Sequence, residues 1–157
     1  MPTPDFIIEL RKKIGHDLLW LPGVTGLVID NARHVLLVRR ADNHRWTLIT
    51  GFLEPGEQPA AGVVREILEE TGVTASVQRV LSVEATKGAT HPNGDRTVSM
   101  DVAFVCTPTA GTAHVNDDES IDVGWFPIAE LPDIPERHKA CVKRYLDGME
   151  TTWFAQP

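Results

Sequence analysis

The chain has few cysteines, little aromatic side chain and too few basic residues to balance its acids. Its two cysteines, Cys106 and Cys141, show no CxxC spacing, so neither a zinc ribbon nor a redox pair is suggested, and buried thiols in a reducing compartment are expected. No apolar run approaches the roughly 20 residues that cross a bilayer. The opening MPTPDFIIEL lacks the basic start and small-residue cleavage site of a signal peptide. A cytoplasmic protein without a membrane partner is therefore the expectation. With 15 Lys and Arg against 22 Asp and Glu, the formal net charge is −7. Stable nucleic-acid binding needs a basic footprint and is not expected. An anionic small molecule is not excluded, because a metal ion and a few arginines can set the local field of an acidic protein. Repeats, low-complexity tracts and linker-like stretches are also missing, so 1–157 reads as one domain, long enough to bury a core.

What is present centres on 51–73, GFLEPGEQPAAGVVREILEETGV. Pro55-Gly56 signals a turn, Pro59 suits a first helical position, and Gly72 suits a left-handed helix stop. Ala60, Ala61, Val63, Val64, Ile67 and Leu68 supply an apolar side, and the carboxylates are expected opposite it. Glu66, Glu69 and Glu70 stand at i, i+3 and i+4, on one helix face. Like charges so placed repel one another, and a hard divalent cation removes that penalty. A solvated acidic face is the plainer account of the triplet taken alone. Arg65 sits one turn before Glu69 and can balance an acid, with Glu57 as a partner.

Gly51, Glu57, Arg65, Glu66, Ile67, Glu69, Glu70, Gly72 and Val73 together fill every fixed position of a known pattern. On it the chain resembles the Nudix hydrolase family, over about 24–145. The resemblance implies an α/β (α+β) fold, an α/β/α sandwich around a mixed β-sheet. It implies hydrolysis of a nucleotide-type diphosphate, a nucleoside diphosphate linked to another moiety, with Mg²⁺ as cofactor and Mn²⁺ as a substitute. Glu66, Glu69 and Glu70 are then the side-chain metal ligands. Thr50 is the position whose backbone carbonyl often joins them, although many relatives carry glycine there. The catalytic candidates are Glu66, Glu69 and Glu119; either Glu66 or Glu119 could orient the attacking water. No nucleophile elbow or P-loop is present, and phosphoryl transfer requires neither.

Outside the box, 3–14 reads as a helix with Thr3 as cap and Pro4 in its first position, and 1–22 as a helical extension that could serve a homodimer. Leu21-Pro22-Gly23 is expected to break the chain before a strand over 24–29. A turn at 30–33 and a returning strand over 34–40 would complete a hairpin. Arg39 and Arg40 end that strand beside a polar loop that closes with Arg45, and these three are the candidate phosphate contacts. A strand over 46–50 would feed the box. Strands are expected over 74–84, 97–106 and 121–126, a turn and short helix over 127–132, and a last helix over 135–146. The turn-rich loop 85–96 suits a pocket rim, with Lys87, His91 and Arg96 as its polar candidates. His16 and His138 read as structural. The family's proline pointer to ADP-ribose and its tyrosine pointer to dinucleoside polyphosphates are both missing, so the sequence selects no substrate. Two other activities fit the same fold, a nucleotide sensor without hydrolysis and a diphosphate isomerase using a pocket thiol, for which Cys106 is the candidate.

Overall fold

The computed structural model describes residues 3–157. The chain runs α1 (Asp5–Ile14), β1 (Leu19–Val28), β2 (His34–Arg40), β3 (Trp46–Thr47), β4 (Ile49–Phe52), α2 (Pro59–Thr71), β5 (Thr74–Ala85), β6 (Ala89–Thr90), β7 (Arg96–Ala110), β8 (Ser120–Pro127), α3 (Glu136–Leu146) and β9 (Trp153–Phe154). One sheet has the order β4-β1-β7-β5-β9, with β6 on β7, and a smaller one the order β3-β2-β8. The larger sheet is mixed: β1 runs parallel to β7 and antiparallel to β4.

Strand alternation divides the core into two layers. Val24 and Val28 of β1, with Phe104 and Cys106 of β7, pack on Val63 and Ile67 of α2. Leu27, Ala103 and Val105 point the other way and pack with Cys141 and Val142 of α3. The smaller sheet splits similarly, Leu36 and Val38 joining the first cluster and Val35 and Leu37 the second. Two helices thus sandwich the sheet, as the resemblance implies. Among the described residues, no helix is long and apolar enough to cross a membrane.

Several local expectations fail. The cap of α1 is Pro4, without a side-chain hydrogen bond, rather than Thr3. Leu21-Pro22-Gly23 does not break the chain, because β1 begins at Leu19 and passes straight through it; the described part of the extension, 3–22, therefore holds both helix and strand. The Pro22 carbonyl accepts the Leu53 N–H (3.1 Å). Its missing N–H faces that same side, toward the edge strand β4 where its pairing ends, so the proline forfeits only the reciprocal bond to Leu53 and β1 continues through it. The turn at 30–33 forms, with the Arg33 N–H on the Asp30 carbonyl (3.0 Å). Its flanking strands enter different sheets, joined only by the Ile29–Val35 bridge. The run 46–50 likewise divides at Leu48 between β3 and β4. There the Leu48 N–H donates to His138 Nδ1 (3.2 Å), which gives His138 the structural role expected of it. The stretch 127–132 makes a turn but no helix. The parallel strand β9, on β5, is unanticipated.

Candidate functional site

Helix α2 begins as its sequence indicates, with Gln58 as cap and Pro59 in the first turn. It ends on Gly72 at φ 69°, whose N–H returns to the Leu68 carbonyl. Its acids are not opposite the buried side. Glu66 is fully buried and Glu70 nearly so, while the Glu69 side chain is 44% exposed. The Glu66 carboxylate lies flat against Gly51, where an added Cβ would fall 2.0 Å from its Cδ. Only glycine leaves that space, so the first box residue is dictated by a carboxylate fifteen positions later in the chain rather than by its own turn.

Arg65 holds the cluster together. Its Nε and Nη2 fork onto Glu57 at 2.8 and 2.9 Å, and its Nη1 spans Glu66 Oε1 at 2.9 Å and Glu69 Oε2 at 3.1 Å. The pairing expected of Arg65 and Glu57 is thus present, and Arg65 holds the Glu57 carboxyl below its usual range. Burial drives Glu66 the other way, up to about 7, against the opposing charge of Arg65. Burial also raises Glu70, helped by the charges of Glu66 and Asp117.

Among the described residues, no group of three or more His, Cys, Asp or Glu converges as a ready-made metal cage. The cluster still suits a hard cation. Glu66 Oε2 is buried without a hydrogen-bond partner, and a buried carboxylate oxygen so left requires a counterpart. Carboxylate oxygens are the donors that Mg²⁺ and Ca²⁺ take.

A groove of about 830 Å³ runs over the edge strand β4, past Thr50, Gly51 and Phe52, and meets the cluster at Gly51; Glu66, Glu69 and Glu70 are not part of its lining. Of the three candidate arginines, only Arg40 lines it, forked onto Asp42 at 3.0 and 2.9 Å. Arg39 instead donates to the His44 carbonyl (3.0 Å), and Arg45 lies 3.6 Å from Asp133. Neither belongs to the groove lining, against expectation: β2 alternates, so Arg39 faces away from Arg40, and Arg45 lies beyond β2 in the loop before β3. Glu119 does line the groove, and its carbonyl accepts the Ala41 N–H (2.7 Å). The loop 85–96 forms the rim, as expected, through Lys87 and His91. It is tied to α1 by Arg11 donating to the Arg96 carbonyl (2.9 Å) and to the turn after α1 by His16 Nδ1 on Asp95 (2.8 Å). Arg96 is not on the rim and sits 3.6 Å from Asp17.

Sequence reasoning missed the groove's other wall. Asp101 of β7 is buried, accepts from the Thr25 hydroxyl at 3.0 and 2.9 Å, and pairs with Arg137 Nη1 at 2.8 Å. Burial raises its pKa against the pull of Arg137. A single acid in the strand-like stretch 98–105, where Ser99 is the one other polar residue, was the available signal. Cys106 is not a pocket thiol: it is fully buried, and burial pushes it up to about 12.

Comparison with known proteins agrees with this geometry. The family profile described as NUDIX domain matches residues 20–145. A MutT-like protein of Streptomyces ambofaciens is 34% identical over 70% of this chain and 66% of its own length. The mouse 8-oxo-dGDP phosphatase NUDT18 is 30% identical over 82% of this chain, which spans only 37% of that protein. The crystal structure of a MutT protein from Methanosarcina mazei Go1 superposes with a TM-score of 0.68 over 86% of this chain and 99% of its own; at 19% identity it speaks for the fold alone.

Proposed function

Because the chain belongs to the Nudix family, we propose that it hydrolyses a diphosphate linkage in a nucleoside diphosphate joined to a further group, with Mg²⁺ as cofactor and Mn²⁺ as a substitute. The observation that carries this reading is Glu66, fully buried on Gly51 with Oε2 lacking a partner. A carboxylate kept in that state is costly unless a cation completes it. Glu66 and Glu70 are the first ligands, Glu69 the third, and the Thr50 carbonyl a fourth donor. When bound, such an ion offsets charge on pyrophosphate oxygens and acidifies water.

The remaining roles belong to the chain itself. Arg65, anchored by Glu57, sets where Glu66 and Glu69 point, so its loss acts on activity through them. Arg40 exchanges Asp42 for a phosphate oxygen, a swap its planar fork suits. Glu119, which lines the same groove as Thr50, orients the attacking water.

The test is a panel of nucleoside di- and triphosphates, nucleotide sugars, ADP-ribose and dinucleotides incubated with Mg²⁺, products being resolved by chromatography. One class cleaved much faster than the rest, and not at all with chelator, is the expected result. Metal-dependent binding across the panel without any product would overturn hydrolysis in favour of a sensor.

A further inference from the structure

The strand register sets a second polar site within reach of the first. Gly23 of β1 stands beside Phe52 of β4 on one side and beside Asp101 of β7 on the other. Two strand spacings, about 10 Å, therefore separate the Asp101 backbone from the edge strand at the cluster. Asp101 Oδ2 is engaged by Arg137 and shares the single Thr25 hydroxyl proton with Oδ1, so Oδ1 keeps acceptor capacity. A Cβ at Gly23 would lie 3.5 Å from that oxygen; the glycine leaves it open to the groove that Gly23, Asp101 and Arg137 all line. The Arg137 side chain, 27% exposed, has five N–H donors; Nη1 serves the Asp101–Thr25 pair and Nη2 lies 3.1 Å from His138 Nε2, which leaves the Nε hydrogen and one Nη2 hydrogen. An open acceptor and open donors thus stand side by side in the groove wall.

The geometry points to a nucleobase subsite that reads a lactam edge, a ring N–H donating to Asp101 Oδ1 beside a carbonyl accepting from Arg137. It rests on the nucleotide reading above and adds the base class: hypoxanthine, guanine, uracil or thymine. An edge of the opposite polarity, a ring nitrogen lone pair beside an amino group, meets the carboxylate and the guanidinium with like against like. A hydrogen-bonding site rejects such a mismatch far more strongly than it distinguishes apolar shapes. An ion pair serving only to fasten α3 to β7 would make no such distinction, nor would a pocket for sugar hydroxyls, which both donate and accept.

Inosine and adenosine monophosphates differ only in that edge, so their binding to the metal-free protein, read by calorimetry, is the test. Inosine monophosphate should bind at least about tenfold tighter. Asp101→Asn replaces an acceptor with a donor and should abolish or reverse the preference. Gly23→Ala should weaken it with the ion pair intact, since its Cβ contacts of 3.4 to 3.5 Å are ordinary packing distances; if Asp101→Asn fails to fold, this variant decides. Equal affinities in the wild type, or a preference that Gly23→Ala leaves unchanged, would overturn the subsite. Because no cleavage is needed, an inactive but inosine-selective protein would sink the hydrolase reading and leave the subsite standing.

Discussion

Gly51 and Glu66 compete for the same space, and the glycine yields it. Gly51→Ala must displace a fully buried carboxylate by more than an ångström, since a Cβ would sit 2.0 Å from Cδ. A displacement of that size costs catalysis on the order of 10²-fold; phosphate release by Gly51→Ala, compared with its unfolding midpoint, measures it. Glu66→Gln removes the charge and keeps the volume. It should abolish turnover, yet its unfolding midpoint in chelator should not fall, because the charge it deletes is held against burial. Saturating Mg²⁺ should then raise the wild-type midpoint, by about 2.7 kcal/mol of stability at a hundredfold excess over Kd. It should not raise that of a Glu66→Gln/Glu70→Gln pair. An equal shift in both would place the ion elsewhere.

At the scale of elements, the loop 111–119 caps α2 and carries Glu119. The His114 N–H reaches the Thr71 carbonyl at 3.0 Å, and the Asn116 side-chain amide reaches Leu68 at 3.0 Å. The Thr71 carbonyl lies in the last turn, where the helix supplies no partner, and the Leu68 carbonyl takes the Asn116 amide as a second donor beside the Gly72 N–H. Two glycines permit the contact. Gly72 has φ 69° and would set a Cβ 2.1 Å from the exposed His114 ring, whereas Gly111 has φ 88° and would set one 2.3 Å from the Gly72 carbonyl. A side chain can swing aside and a backbone carbonyl cannot. Gly72→Ala should therefore cost about 1 to 2 kcal/mol in urea unfolding, and Gly111→Ala more. Gly111→Ala should also lower turnover, because Glu119 moves with the loop.

At the scale of the whole molecule, His138 ties α3 to the point where the chain passes from one sheet to the other. The Leu48 N–H requires Nδ1 as an acceptor and Arg137 Nη2 lies 3.1 Å from Nε2, so donors face both ring nitrogens and the doubly protonated ring is disfavoured. Burial brings His138 down to about 3, with Arg137 adding to the effect. Below the ordinary histidine pKa of about 6.5 the unfolded chain takes up a proton that the folded one refuses. Stability is therefore lost as pH falls from about 6.5 towards 3, by at most about 1.4 kcal/mol per pH unit, and the histidine contributes no slope above that window. Glu66 and Glu70 act in the opposite sense, so the informative quantity is the difference from His138→Gln. That variant should be less stable at pH 7 and show a shallower acid loss in urea titrations between pH 6 and 4.

The sequence by itself determined the box helix, its two ends, the Arg65–Glu57 pairing, most strands and the family, because caps, glycine stops and 3.6-residue periodicity are local physics. It did not reveal that β1 runs through Pro22, since tolerance of that proline depends on its nitrogen facing the end of the edge strand β4. Nor could it choose among Arg39, Arg40 and Arg45, because facing is set by strand pairing and not by residue type. The division of 46–50 between two sheets, the strand β9 and the burial of Glu66 and Glu70 were likewise decided only by the tertiary structure. Each depends on a partner distant in the chain: His138 for Leu48, β5 for β9, and Gly51 for Glu66. The same holds for Asp101 and Arg137, 36 residues apart, whose chemistry appears only where Gly23 opens the wall between them and the groove.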